Sequence, residues 1–161
     1  YGKSYTYFAS QGHTFSPLIC FEIAFPEFIA GMASRPMDYI VNITNDAWFY
    51  HSRGTYQHAS MTKIRAVETR KQIYRCANTG ISTAIDPLGR PLFHTRLFEV
   101  GNYSAPLYTT PVESPYVRWG QNTPYLYLII TLLLFLLASF KPVRKGCQIL
   151  EQRLQKRSKA E

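Results

Sequence analysis

The stretch Ser16-Pro-Leu-Ile-Cys-Phe-Glu-Ile-Ala-Phe-Pro-Glu27 decides how this chain is read. Its apolar, β-prone half ends on Cys20, and Glu22 follows two residues later. Pro26 then stands where a first helical turn accepts proline. The pattern predicts a buried strand over 15–21 and a short helix over 26–33, stopped by Arg35-Pro36. A strand that feeds a helix puts Cys20 at the carboxyl end of a sheet, the edge where open α/β sheets bind ligands. A thiolate there is stabilised by the helix dipole, and the Phe21 N–H is placed to hold an oxyanion. The same residues also fit a small hydrophobe buried in a core, the common fate of a free cysteine.

Working outward, Tyr39-Ile-Val-Asn-Ile-Thr44 predicts a second strand, and Asn45-Asp46-Ala47-Trp48-Phe49 a loop after it. Gly54-Thr55 leads into a long helix over 56–71, with Ala59, Ile64, Ala66 and Val67 expected to face a core. Strands are expected over 73–77 and 81–85. Asp86-Pro-Leu-Gly89 reads as a β-turn, with 90–95 pairing back as a hairpin. Strands alternating with helices predict an α/β fold.

Several polar residues collect near these strand ends. Glu22 and Glu27 flank Cys20, and acids at a helix start also serve as caps. Asn45 and Asp46 fall at the same sheet edge as Cys20, although both residue types favour plain turns. Along the helix, His58 and Met61, then Arg65 and Glu68, stand three apart on one face. A lone His58 is commonly a structural histidine. No Cys and His set has metal-ligand spacing and no glycine-rich phosphate loop is present, so neither metal nor cofactor is expected.

The 161 residues suffice for one domain with a core, and 46% hydrophobic against 17% charged residues excludes a disordered chain. The net charge of +8 is unevenly spread: seven of the 18 Lys and Arg lie in residues 141–161. They follow an uncharged apolar run over 125–140, about 24 Å long as a helix. Charge so placed reads as membrane topology rather than nucleic-acid binding. A transmembrane helix is therefore expected over 124–143, after a Pro-rich linker over 105–123 and before a basic cytoplasmic tail over 144–161. Cys20, Cys76 and Cys147 do not make a disulfide framework.

Four motifs stand in order: Leu-Ile-Cys-Phe-Glu-Ile-Ala-Phe-Pro-Glu over 18–27, Asn-Ile-Thr-Asn-Asp-Ala-Trp-Phe over 42–49, Gln-His-Ala-Ser-Met-Thr-Lys-Ile-Arg-Ala-Val-Glu over 57–68, and Ala-Asn-Thr-Gly-Ile-Ser-Thr-Ala-Ile-Asp-Pro-Leu-Gly over 77–89. Together they resemble the carbon–nitrogen hydrolase (nitrilase) superfamily, and within it the membrane branch of apolipoprotein N-acyltransferases. The resemblance implies a four-layer α-β-β-α sandwich, of which 1–104 would be the C-terminal part, on the periplasmic face of a bacterial inner membrane. It implies a Glu-Lys-Cys triad that moves an acyl chain from a phospholipid through a thioester to the N-terminal amine of a lipid-modified apolipoprotein. Cys20 matches the nucleophile and Glu22 the acid after it. Asn45, Asp46 and Trp48 match the active-site loop, and Arg65 and Glu68 the helix that buttresses it; Phe21 and His58 are taken as site-supporting.

The departures carry expectations too. The family's triad glutamate and lysine lie upstream of the nucleophile, and the 19 residues before Cys20 hold no convincing match. Lys3 imitates the lysine motif but stands too close to Cys20. Phe21 replaces the tyrosine usual after the nucleophile. The chain is therefore expected to be a C-terminal piece of a longer enzyme, inactive alone. The rival readings are a membrane-anchored amidase-type hydrolase and a non-catalytic interaction fragment.

Overall fold

The computed structural model describes residues 4–139. Six strands form one mixed sheet in chain order: β1 (Phe8–Ser10), β2 (His13–Ile19), β3 (Tyr39–Thr44), β4 (Gln72–Ala77), β5 (Thr83–Ile85) and β6 (Pro91–His94). β2, β3 and β4 run parallel, and β1, β5 and β6 are antiparallel to their neighbours. Two parallel neighbours need a crossover. Helix α1 (Pro26–Ala33) makes the first, and α2 (Arg53–Thr69) the second. A short helix α3 (Pro115–Trp119) packs beside both.

α1 and β3 fall where the sequence puts them, because Pro26 starts one and an Ile-Val-Asn-Ile run makes the other. β1 has no counterpart in the sequence reading. It is three exposed residues, turned into β2 through Gln11 and Gly12, both with positive φ. α2 starts three residues early, capped by Ser52, whose Oγ accepts from the Gly54 N–H.

The inward face of α2 corrects the hydrophobic reading. Ile64 is 49% exposed and Val67 38%. Thr55, His58, Thr62, Arg65, Ala66 and Thr69 point in instead. The helix is rotated by what it covers, a polar cluster on β3 and β4, rather than by its own aliphatic residues.

The two sheet faces differ. Under the helices, Leu18, Ile40, Ile73 and Ile85 meet Ile23, Ile29 and Met32 in the core. On the other face Phe8, Phe15, Tyr39 and Tyr74 form a chain of ring contacts 5.1 to 5.7 Å apart. Ile19, Ile43 and Cys76 lie exposed further along it.

The stretch read as a linker does not hang free. Gln72 donates from Nε2 to the Pro106 carbonyl and accepts the Tyr108 N–H at Oε1. Tyr74 donates to the Ala105 carbonyl, and Val117 is buried in the core. Buried amide and phenol groups take up the loop backbone because each needs a partner.

Among the described residues, those from 122 to 139 belong to a second unit. Its helix α4 (Thr123–Ser139) has no charged residue. Thr131 and Ser139 satisfy their hydroxyls on carbonyls one turn back. No helix among the described residues is long and apolar enough to cross a membrane. The span expected over 124–143 is thus a 17-residue helix as far as it is described, and 140–143, the basic tail, Cys147 and Lys3 lie outside the described residues.

Candidate active site

The carboxyl ends of β2, β3 and β4 lie along one edge of the sheet, and the site is built there. β2 ends at Ile19, and Cys20 opens a 3₁₀ turn, Cys20–Ala24, with φ +50°. A non-glycine residue in that region is strained and is kept there only by its surroundings. Three groups do so. Glu22 Oε2 accepts the Ile19 N–H at 2.7 Å, reaching back across the cysteine. Asn42 Nδ2 donates to the Leu18 and Cys20 carbonyls, both at 3.2 Å. Cys20 itself is half-buried.

Beneath the turn lies a buried polar network. Arg75 donates from Nη1 to Asn42 Oδ1 at 2.6 Å, from Nη2 to Asp46 Oδ2 at 2.7 Å, and from Nε to the Ile81 carbonyl. Asp46 Oδ1 accepts from Thr44 Oγ1 at 3.0 Å and from His58 Nδ1 at 2.9 Å. A carboxylate facing Nδ1 fixes the proton on that nitrogen. The 3.2 Å approach of Arg75 to the same ring is therefore a contact between two donors. His58 Nε2 is buried with no hydrogen-bond partner among the described residues.

Charge follows from this packing. Burial pushes the Asp46 carboxyl up, but the His58 hydrogen bond and the Arg75 charge outweigh it and hold it below the usual carboxylate range. Burial lowers Arg75, opposed by Asp46 and by the nearby Cys20 sulfur.

The loop after β3 is locked the same way. Asn78 donates from Nδ2 to Asn45 Oδ1 at 2.8 Å and accepts the Asp46 N–H. A Cβ on Gly80 would come within 2.0 Å of Asp46 Oδ2, so only glycine fits there.

Of the residues singled out from the sequence, the fold brings Cys20, Phe21, Glu22, Asn45, Asp46 and His58 together. The Phe21 ring lies 5.6 Å from His58 and edge-on to Phe25. Arg65 and Glu68 pair with each other on α2 rather than with the network above, and burial raises the Glu68 carboxyl against the pull of Arg65. Trp48 lies on the same rim but is 87% exposed. Sequence reasoning passes over Asn42 and Arg75. The signal is there to be used: each is a polar residue with apolar or aromatic neighbours on both sides in its strand, and the parallel register pairs them.

A cavity of about 830 Å³ opens beside the turn, lined mainly by apolar groups of Tyr5, Ile19, Phe25, Phe28 and Met32, with Glu22 at its edge. Among the described residues no group of His, Cys, Asp or Glu could hold a metal ion.

A cysteine on a strained strand-to-helix turn, at the carboxyl edge of the three parallel strands and above a buried cation, defines a thiol-bearing α/β domain. The carbon–nitrogen hydrolase family model matches residues 1–105, and the chain belongs to that family. It is 40% identical over 114 residues to the apolipoprotein N-acyltransferase of Azotobacter vinelandii, covering 68% of this chain and 21% of that protein. It is 41% identical over 118 residues to the apolipoprotein N-acyltransferase of Bradyrhizobium diazoefficiens, covering 73% and 22%. The chain thus spans about a fifth of the length of these relatives. The crystal structure of a CN-hydrolase superfamily protein from Xanthomonas campestris, with an arsenic adduct in its active site, shares the fold. Its TM-score is 0.51 at 21% identity, over 60% of this chain and 41% of that one.

Proposed function

We propose that this chain is the cysteine-bearing part of an apolipoprotein N-acyltransferase. The observation that carries the reading is Cys20 held at φ +50° on the sheet's ligand-binding edge. In this reading the Cys20 thiolate attacks the ester carbonyl of a phospholipid. The ester C–O bond breaks, a lysophospholipid leaves as the alcohol with the proton a base took from the Cys20 thiol, and the acyl group stays as a thioester. The N-terminal amine of a diacylglyceryl-cysteine apolipoprotein then attacks the thioester. An amide forms, the amine's proton passes to a base, and the thiolate is regenerated. Thioesters suit this exchange because they react readily with amines.

Glu22 acts here by holding the turn, since its carboxylate already accepts the Ile19 N–H. Phe21, Asn45 and Asp46 shape the rim, and Trp48 offers an exposed aromatic surface to lipid. His58 holds Asp46, and the Arg65–Glu68 pair braces α2. Among the described residues none is assigned the role of base or of triad lysine.

Two further features support the reading. The aromatic face of the sheet is a surface for a second sheet, which would complete a four-layer α-β-β-α sandwich. α4 is apolar all round, and such a helix is stable where its surroundings are apolar too. With the positive residues after it, a membrane anchor with the tail in the cytoplasm and residues 1–104 in the periplasm follows. It would bring Cys20 to its lipid donor.

The test is mass spectrometry of Cys20 after incubation with phospholipid vesicles, in the protein at the length the cell makes it. An acyl mass on Cys20, removed by an apolipoprotein peptide amine and absent from Cys20→Ala, is expected. Hydrolysis of a short amide without transfer to an amine would move the reading to an anchored amidase. Undiminished acyl transfer in Cys20→Ala would leave the chain a non-catalytic fragment.

A further inference from the structure

The Cys20 turn is held from below by a side chain that is itself held. Arg75 carries only donors, so the Asn42 atom 2.6 Å from it is the amide oxygen. The Asn42 NH₂ group must then face β2, where it meets the Leu18 and Cys20 carbonyls. Asn42 is fully buried and Arg75 is 2% exposed, so neither can trade these partners for water. Arg75 in turn is aimed by Asp46 and by the Ile81 carbonyl.

We propose that Asn42 and Arg75 are positioning residues for Cys20, a two-residue relay that fixes the backbone turn from which the thiol is presented. One amide grips the carbonyls two residues apart where β2 leaves the sheet. With that grip lost, the Cys20 backbone returns toward ordinary negative φ and the sulfur is no longer held in one presentation. The relay works through geometry: a lysine at 75 keeps the charge but cannot reach Asn42, Asp46 and the Ile81 carbonyl together. The inference rests on the reading of Cys20 as the nucleophile, but its test does not need an acyl donor.

The experiment is carboxamidomethylation by iodoacetamide, followed by peptide mass spectrometry on the chain carrying Cys147→Ser. Cys76, exposed on β4, is the internal reference. The readout is the ratio of Cys20 to Cys76 alkylation rates against pH. Asn42→Asp keeps the size of the side chain and removes both donated hydrogen bonds. A pure charge effect moves the midpoint of the Cys20 profile and leaves the high-pH plateau unchanged. A positioning effect lowers the plateau.

The plateau ratio is expected to fall about tenfold in Asn42→Asp and in Arg75→Lys. Asp86→Ala removes the acceptor of the Leu88 and Arg90 N–H groups in the β5–β6 turn, at the opposite end of the strands from Cys20. It should lower Tm without moving the ratio. A plateau within about twofold of the starting chain, in variants that still melt cooperatively, overturns the relay. If Asn42→Asp does not melt cooperatively, Asn42→Ser takes its place under the same criterion. The acyltransferase reading fails separately, when Cys20 alkylates readily in the unsubstituted protein yet never carries an acyl group from vesicles.

Discussion

The sheet's two faces are built by opposite rules. Under α1 and α2 the aliphatic core at Leu18, Ile40 and Ile73 gives way, toward the carboxyl edge, to a sealed polar network at Asn42, Asp46, His58 and Arg75. On the other face rings and aliphatic side chains lie half-covered, with Ile43 51% exposed. Burying an ion pair is unfavourable unless its groups are matched, and Arg75 and Asp46 are matched on the helix-covered face, while His58 Nε2, Thr62 Oγ1 and Arg65 Nε are buried there without partners among the described residues. The difference teaches where the molecule's specificity lies. The covered face fixes one arrangement of atoms, and the open face offers adhesive surface without fixed geometry.

The contrast is broken most directly at Asp46. Asp46→Asn strands the Arg75 charge and should cost about 3–5 kcal/mol in urea unfolding, since a buried cation is left unpaired. The pH dependence has a definite sign. Asp46 is held below its ordinary value. Its contribution is present above about pH 4, where the unfolded carboxyl ionises, and is lost as pH falls through the lower folded value. Acid titration of stability should therefore be flatter at its low-pH end in Asp46→Asn.

Next in size, Ile40→Ala removes a fully buried side chain from the covered face and should cost about 2–4 kcal/mol. Gly80→Ala sets a methyl against Asp46 and should cost about 1–3 kcal/mol while lowering the Cys20 alkylation rate. Val41→Ala lies on the opposite face from Ile40, one residue away. It should cost less than about 1 kcal/mol in this chain. A cost for Val41→Ala equal to that for Ile40→Ala would mean that the open face is packed after all, and the contrast would be lost.

Much of this is legible in the residues. The helix start at Pro26 and the strand at Tyr39–Thr44 follow from local chemistry, and both fall in place. The position of Cys20 follows from a strand feeding a helix, and Asp46 from the same edge of the next strand. What is not legible depends on partners far along the chain. The rotation of α2 is set by a cluster 12 to 17 residues from His58, which propensity within the helix cannot report. Gln72 reads as an ordinary strand residue until Pro106 and Tyr108 arrive to be held. Asn42 and Arg75 become meaningful only through the register that sets them side by side.

Each strand of this sheet hydrogen-bonds to the one translated just before it. A ribosome delivering the chain therefore releases every strand after β1 with one of its neighbours already made. Assembly can advance in the direction of synthesis, adding one edge at a time, with each new segment closing only a short stretch of chain. The Cys20 turn is complete only when β4 arrives with Arg75, so the thiol stays unaligned until most of the sheet exists.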